Sequence, residues 1–472
     1  MHILILILMI GLMAHDASGL ALAAEPQGWQ MLAIVLGTNA ILAGCTAWAC
    51  ARTLRAMRRG EGEIHRLLRR LDVALATVRY AAVALFLGQL YGLGWLHWVR
   101  QSIGDWVLLD ELIAAGPGLL TLICGWFFYY PIDQRLRGVA GPGTASAGTR
   151  LAYVVAQVRM QVLLVLAPLL AVMGWMQLVE RWVSPNPAWR IYEQPLMLAG
   201  FTTVFLFAPV MIRYLWDTAP MPDGELRRSL LAMCRGHGVG VRRLLMWRTY
   251  GGMINGAVMG VIGPVRYILL TDGLLQRMSR VEIEAVMAHE LGHVRRRHMV
   301  WLVVCAMAVM YGLESFLYGS LDALDRASSG RLFDGAPWQS PLSFAALGML
   351  ITGWVMIFGW ISRRFERQAD TFAVRHLSAK YPEPGSPTGC IDPAAVRIYC
   401  QTLMRVAELN QIPLDRRSWR HGSIRWRCDY LQSLVAQPAD RCGVDRVVRA
   451  ICLTCATVLL LLLVAYDGWL AF

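Results

Sequence analysis

Long apolar runs recur along this chain, and each is about as long as a helix that crosses a lipid bilayer, roughly 20 residues. Hydrophobic residues make up 56% of the 472 residues, whereas soluble domains are usually about 45–50% apolar. The excess is concentrated in the runs, so they predict membrane-spanning helices. Seven spans are predicted at about 29–51, 80–98, 112–130, 160–178, 196–216, 299–318 and 342–361, and an eighth at about 450–470.

The first 24 residues contain a further apolar stretch, "ILILILMIGLM", which is followed by "ALAAEP". This order resembles a secretory signal peptide that ends in a small-residue cleavage site. The positively charged segment that usually begins a signal peptide is missing. Residues 1–24 therefore predict either a signal peptide or a short helix that is retained at the N-terminus.

Positive charge is concentrated beside the predicted spans. The formal net charge is +13, and Lys380 is the only lysine, so arginine carries almost all of it. Arginine-rich loops alternate with arginine-poor loops, and arginine-rich short loops tend to stay in the cytoplasm. We therefore predict a protein of the bacterial inner membrane. Its basic groups are predicted to lie at the surface of the lipid bilayer and not to bind a nucleic acid. The segments predicted to be cytoplasmic are 52–72, 131–159, 218–298 and 362–448.

Two long cytoplasmic segments are separated by a helical hairpin, which predicts one catalytic domain that is built in two parts and anchored by that hairpin. The predicted fold is a multi-span α-helical membrane protein with a cytoplasmic α+β domain. The predicted parts are a membrane region of about five spans at 25–217, domain segments at 218–298 and 362–449, the hairpin at 299–361 and a C-terminal transmembrane helix at 450–472.

The first domain segment shows strand signals followed by a helix signal. Residues 241–275 contain three short apolar runs between glycine turns, which is typical of three short strands. Ser279 and Glu282 are spaced as a capping box. A helix that runs from this box to about Arg297 is therefore predicted.

The predicted helix contains H-E-x-x-H, formed by His289, Glu290 and His293. Residues four apart lie on one helix face, so both imidazoles can reach one metal ion. Glu290 would lie beside the open coordination position and accept a proton from metal-bound water. Zinc lowers the pKa of such water from about 15.7 towards 7, which gives a nucleophile at neutral pH. The motif therefore predicts one zinc ion per chain.

A second acidic element lies in "SRRFERQADTFAVRH". Glu366, Ala369, Asp370 and Ala373 fall on one helix face, and a face of two carboxylates and two alanines is unusual for a hydrophobic core. It suits a helix that approaches a partner helix closely and offers a metal ligand. We therefore predict Glu366 as the third ligand and Asp370 as the partner of the outer nitrogen of a ligand histidine.

These two elements resemble the integral-membrane zinc endopeptidases, a gluzincin-like family that includes the HtpX-type heat-shock proteases and the CaaX prenyl-protein proteases. "INGAVMG" is similar to that family's N-A-x-x-x-G strand, and "WRHGSIRWRCDYL" to its late H-P-x-x-x-x-R-I segment. The resemblance implies a zincin-like metalloprotease domain, substrate contacts for Asn255 and Arg427, and a catalytic role for His421. Two departures are Gly422 in place of the proline and Gly256 inserted before Ala257.

The predicted function is a membrane-embedded zinc endopeptidase, with Glu290 as general base, that cleaves membrane or membrane-proximal proteins. One alternative is a membrane signalling sensor of the antirepressor type, which also joins membrane helices to H-E-x-x-H. Another is a transporter, but its spans should carry charges, and Glu314 is the main charged residue within these spans. His298 and His376 are not predicted as ligands, since His298 rotates off the metal-facing side of the helix.

The arginine pattern makes a topology prediction. A cysteine introduced at Ser386 should react with an impermeant thiol reagent only after the membrane is opened, because the arginine-rich segment 362–448 resists translocation. A cysteine at Ser329 should react in intact cells, because loop 319–341 is predicted to be external. Both are placed in a background whose native cysteines are controlled. Labelling of Ser386→Cys from outside would show that the catalytic domain is external.

Overall fold

The structure is a computed structural model that describes residues 4, 5, 7–9, 11, 12, 28–60, 63–139, 149–249, 253–327 and 341–470. The chain forms two compact units, Met1–Trp216 and Asp217–Phe472. The predicted cleavage site near residue 24 lies outside the described residues. So does most of the loop predicted to be external, Ser329 included.

The first unit is helical throughout its described part. Two of its helices continue directly into a π-helical turn, at Gly88–Gly92 and Val158–Leu163. The α-helices are α1 (Gly28–Arg59), α2 (Ile64–Leu87), α3 (Trp95–Ile103), α4 (Leu109–Val139), α5 (Arg150–Gln157), α6 (Leu164–Trp182) and α7 (Glu193–Leu215).

The described residues of the first apolar stretch are helical and packed into this unit. Ile5, Leu8 and Leu12 are buried with apolar side chains of α1, α2 and α4. The Tyr91 hydroxyl also donates a hydrogen bond to the Gly11 carbonyl, at 2.8 Å. The buried side chains of this stretch therefore contribute to the core of this unit, and the choice between a signal peptide and a retained helix stays a prediction.

Six helices of the described residues are long and apolar enough to cross a membrane, and they overlap the first six predicted spans, although the second runs over Arg66–Gly92 and not over 80–98. They are Gly28–Arg59, Arg66–Gly92, Leu109–Leu136, Arg150–Trp182, Arg190–Leu215 and His298–Ala327. The seventh and eighth predicted spans are helical as well, within α12 and α15, whose bounds are given below. As membrane crossings these two remain predictions.

Buried charge in the spans is greater than the sequence indicated, and Glu314 is not the main instance. Helix α4 begins at Leu109, three residues before the start of the third predicted span at 112. It therefore includes Asp110 and Glu111, which are both buried. Arg100 donates to the two carboxylates, at 2.5 Å to Asp110 and 2.8 Å to Glu111. Because the pairing offsets part of the desolvation cost, the helix can start at these acids.

The second unit contains a four-stranded sheet in the order β1-β2-β4-β3. Strand β2 pairs parallel to β4, and the outer strands β1 and β3 pair antiparallel to their neighbours. The three predicted strands are confirmed, while β1 was missed because a three-residue strand that ends in proline has no apolar alternation to reveal it. The strands are β1 (Thr218–Pro220), β2 (Arg243–Trp247), β3 (Gly256–Met259) and β4 (Tyr267–Thr271).

Eight helices of the described residues complete this unit: α8 (Glu225–Gly236), α9 (Asp272–Arg277), α10 (Arg280–Arg295), α11 (His298–Ala327), α12 (Pro341–Lys380), α13 (Pro393–Leu409), α14 (Ile424–Gln432) and α15 (Gly443–Leu470). Helix α12 has 40 residues without a break. The boundary predicted at 361–362, between the hairpin and the second domain segment, therefore falls inside one continuous helix.

Helix α10 begins and ends close to where the sequence predicts. Ser279 and Glu282 form the predicted capping box, with the Glu282 carboxylate accepting from the Ser279 backbone N–H at 2.7 Å. The helix ends at Arg295, and Arg297 has a left-handed φ of 54°. That turn redirects the chain into α11 after only two residues, so the motif helix lies directly next to a membrane span.

Helices α10 and α12 approach each other closely at Gly292. A Cβ atom added there would lie 3.1 Å from the Ala369 Cα and 3.2 Å from the Phe372 Cβ, tighter than ordinary packing. Ala369 and Ala373 are fully buried on the facing side of α12. Small residues on both helices are therefore what allows this approach.

Replacing Gly292 by valine should destabilise this unit, because the branched side chain would clash with the backbone of α12 at Ala369. Overpacking of this kind typically costs about 1–3 kcal/mol. The control is Gly236→Val on α8, an exposed helix position with open space around the Cβ. Thermal unfolding of the purified proteins measures both, and equal melting temperatures for the two variants would contradict the role of Gly292.

Candidate metal and active site

The structure brings the three predicted ligand residues together. The His289 Nε2 lies 3.1 Å from the His293 Nε2, and each nitrogen lies 3.7 Å from a Glu366 carboxylate oxygen. Donor atoms around a tetrahedral zinc ion with bonds of about 2.1 Å lie roughly 3.4 Å apart. These three side chains, called the ligand group below, therefore have the donor types and the spacing that a metal ion needs.

Local sequence explains why these atoms converge. His289 and His293 are one turn apart on α10, and Glu366 projects from α12 one turn before Ala369, which contacts Gly292. Burial alone would raise the pKa of Glu366, but His421, His293 and His289 hold that pKa well below its usual range. The carboxylate is therefore ionised, as a metal ligand must be.

Asp370 lies behind His289 in a fully buried position. Its Oδ1 is 3.0 Å from the His289 Nδ1, the ring nitrogen that faces away from the ligand group. Tyr399 donates its hydroxyl to the same carboxylate at 2.7 Å, and Arg427 donates from Nε at 2.8 Å. Burial favours a higher pKa for Asp370, but the charge and hydrogen bonds of Arg427, with those of His289, hold it below the usual range.

Arg427 lines the cleft around the ligand group, and the expectation that it contacts substrate stays a prediction. Its guanidinium makes two hydrogen bonds to Asp370, at 2.8 and 2.5 Å, and the side chain is buried. The charge is thus directed at the carboxylate behind His289. The sequence could not show this, because Asp370 and Arg427 are distant in the chain and both lie in polar segments.

Glu290 lies between the ligand group and strand β3. Burial raises its pKa above the ordinary value, although the neighbouring His289 and a backbone hydrogen bond at Val258 act in the opposite direction. A carboxylate whose pKa is moved up towards neutrality is suited to accept and return a proton near neutral pH.

His421 and Asn255 both lie at the cleft around the ligand group. The His421 Nδ1 is 3.1 Å from a Glu366 oxygen, and its side chain is 54% exposed. Asn255 is exposed at the start of β3, where its backbone pairs with Thr271. Both residues line one cavity of about 1190 Å³ together with His289, Glu290 and His293.

Two departures from the family pattern have local explanations. Gly422 has a φ of 75°, a value that proline cannot adopt, so the chain turns differently after His421. At Gly256 an added Cβ would lie 2.9 Å from the Val286 side chain and 3.5 Å from the Glu290 Cγ. The inserted glycine therefore lets β3 approach the motif helix beside Glu290.

Two residues of the site were not identified from sequence. Tyr399 is on α13 with no motif around it, and only its contact with Asp370 reveals it. His298 lies outside the ligand group, and its Nδ1 lies 2.9 Å from the His293 Nδ1. Its spacing from His293 could not reveal this contact, because the chain turns at Arg297 before α11 begins.

In comparisons with known proteins, residues 222–390 match the model of peptidase family M48. A "Protease HtpX homolog" of Aeropyrum pernix is 25% identical over 193 residues, which cover 40% of this chain and 58% of that protein. A "CAAX prenyl protease 1 homolog" of Arabidopsis thaliana is 27% identical over 207 residues, covering 42% and 48%. The chain thus spans about half the length of these relatives, and the predicted resemblance to HtpX-type and CaaX proteases is confirmed.

One solved structure, that of Ste24p from S. mikatae, aligns over 87% of this chain and 100% of its own, with 16% identity and a TM-score of 0.47. The apolar helices and the strands and helices of the second unit fit the predicted fold class, a multi-span helical membrane protein with an α+β domain, and part of that domain is similar to the M48 peptidases.

The ligand group predicts the metal content. Purified protein should hold about one metal ion per chain, and His293→Ala should lose most of it, because one of three protein ligands is removed. His376→Ala is the matched control, since His376 is on α12 but contacts His237 and Glu284 and not the ligand group. Elemental analysis after dialysis measures all three proteins. Undiminished metal in His293→Ala would count against this site.

Proposed function

We propose that this chain is a membrane-embedded zinc endopeptidase that hydrolyses peptide bonds of membrane or membrane-proximal proteins. The observation that carries the proposal is the ligand group of His289, His293 and Glu366 with a half-buried Glu290 beside it, in a cleft bordered by an edge strand. The match to peptidase family M48 supports the same reaction class.

Zinc is the metal that this donor set favours. Two imidazoles and one carboxylate at tetrahedral spacing are typical of catalytic zinc sites, which keep a fourth position open. A bound zinc ion would supply the Lewis acidity that makes water a nucleophile at neutral pH and polarises the scissile carbonyl. The two ring nitrogens are fixed for this role by helix α10, and Glu366 is fixed by α12.

We assign the proton transfers to Glu290. Its carboxylate takes a proton from the attacking water and returns it to the leaving amine, a role that its raised pKa suits. His421, half exposed and beside Glu366, is placed to donate a hydrogen bond to the oxygen that becomes negative as water adds to the carbonyl. Asp370 holds His289 through its outer nitrogen, and Arg427 and Tyr399 in turn hold Asp370.

The substrate is proposed to bind as an extended strand along β3. Strand β3 is at the end of the sheet and pairs with β4 alone among the described strands, so no described strand occupies its other edge. A peptide that pairs with this edge would pass Glu290, because Gly256 lets the strand lie close to α10. The exposed Asn255 at the start of the strand is proposed to contact that peptide.

The proposed substrates are membrane proteins or their short loops. Only Arg296 and Arg297 separate helix α10 from the membrane helix α11, so the ligand group lies near the membrane surface. We propose that this surface is the cytoplasmic side of a bacterial inner membrane, and the arginine-rich segments around the ligand group support the cytoplasmic side.

Replacing Glu290 by glutamine tests the mechanism. The amide cannot accept the proton, so turnover of a casein-like or quenched peptide substrate should fall by about 10²–10⁴-fold, while the metal is retained. Glu282→Gln is the matched control, because Glu282 is on the same helix and glutamine also serves in a capping box. Near wild-type turnover of Glu290→Gln would show that Glu290 is not the base.

A further inference from the structure

His298 is buried beside the ligand group, and each of its two ring nitrogens has a hydrogen-bonding neighbour. Only 1% of the residue is exposed, and its ring stacks on Phe365 with the centroids 4.9 Å apart. The Nδ1 lies 2.9 Å from the His293 Nδ1, and the Nε2 lies 2.9 Å from the Gln368 Oε1. His298 therefore bridges His293 and Gln368.

The positions of the hydrogens in this bridge follow from metal binding. When the His293 Nε2 is a ligand, the neutral ring carries its hydrogen on Nδ1. The His298 Nδ1 must then accept that hydrogen, so the His298 Nε2 carries a hydrogen and donates it to the Gln368 carbonyl oxygen. Each contact in the bridge thus has one donor and one acceptor.

The bridge continues to the partly buried carboxylate of Asp445. The Gln368 amide donates to Asp445 at 2.7 Å, in the first turn of α15. Arg375 donates to the other Asp445 oxygen at 2.7 Å, and Arg296 lies 3.3 Å from Oδ1. Asp445 is therefore held in place by α12 and by the turn between α10 and α11, and it fixes the amide orientation of Gln368.

We propose that His298, Gln368 and Asp445 are positioning residues that fix the ring and the tautomer of His293, and so strengthen zinc binding. The proposal rests on the metal site of the proposed function. All hydrogen bonds point from His293 towards Asp445, so the carboxylate supports the ligand through two neutral groups. His289 is supported by a carboxylate directly, which makes the two ligand histidines unequal.

The experiment is a zinc titration of the full-length protein in detergent, in competition with a chelator of known affinity. His298→Phe keeps the stacked ring but removes the acceptor, and outer partners of metal ligands typically contribute about 10–100-fold in metal affinity. We expect a zinc dissociation constant higher by that factor, with partial recovery in His298→Asn, whose amide oxygen can accept. Gln368→Met should weaken zinc binding by a smaller factor.

His376→Phe is the matched control, because His376 is a histidine of α12 in a separate hydrogen-bonded cluster. Its zinc dissociation constant should match the wild-type value. The melting temperature of the zinc-free proteins shows whether each variant folds, and Gln368→Met replaces His298→Phe if the latter does not.

A zinc dissociation constant for folded His298→Phe within twofold of the wild-type value would overturn the inference and leave the proposed function standing. So would an equal loss in His376→Phe, since the effect would then come from general disturbance of the domain. Wild-type protein that binds no zinc would overturn the inference and the proposed function together.

Discussion

The contact between helices α10 and α12 at Gly292 and Ala369 is the interaction on which the site depends. One helix carries both ligand histidines and Glu290, and the other carries Glu366 and Asp370. Carboxylate oxygens reach the imidazole nitrogens only if the two helix axes lie unusually close, and backbone-to-backbone packing at a glycine and an alanine allows that. The same pairing places Gln368 next to His298, so the contacts behind both histidines depend on it.

The carboxylates behind the two ligand histidines, fully buried Asp370 and partly buried Asp445, each belong to a chain of hydrogen bonds. Asp370 accepts from His289, Tyr399 and Arg427, and Asp445 accepts from Gln368, Arg375 and Arg296. A buried carboxylate with several donors keeps its charge without a large net cost, because the donors replace the water that it loses. Removing one donor from such a chain affects every group that it orients, which is why residues far from the cleft can influence the ligand histidines.

Features encoded by local spacing could be predicted from the sequence. The spacing of His289 and His293, the capping box at Ser279 and the apolar spans each depend on neighbours within a few turns, and the structure has all of them. Arg427 could not be assigned, because its partner Asp370 is known only once α12 and α14 are packed together. The contact of His298 with His293 could not be predicted for a similar reason, since helical periodicity does not continue through the left-handed turn at Arg297.

The unbroken helix α12 fixes how far the cleft stands from the bilayer. If the seventh span ends at residue 361, Glu366 lies at most about 8 Å further along the axis, at roughly 1.5 Å per residue. An extended peptide covers about 3.3 Å per residue, so two or three residues outside the hydrocarbon are enough to reach that height. Under the proposed function, this short distance along α12 would favour cleavage of bonds next to the lipid over bonds in a folded domain farther from the bilayer.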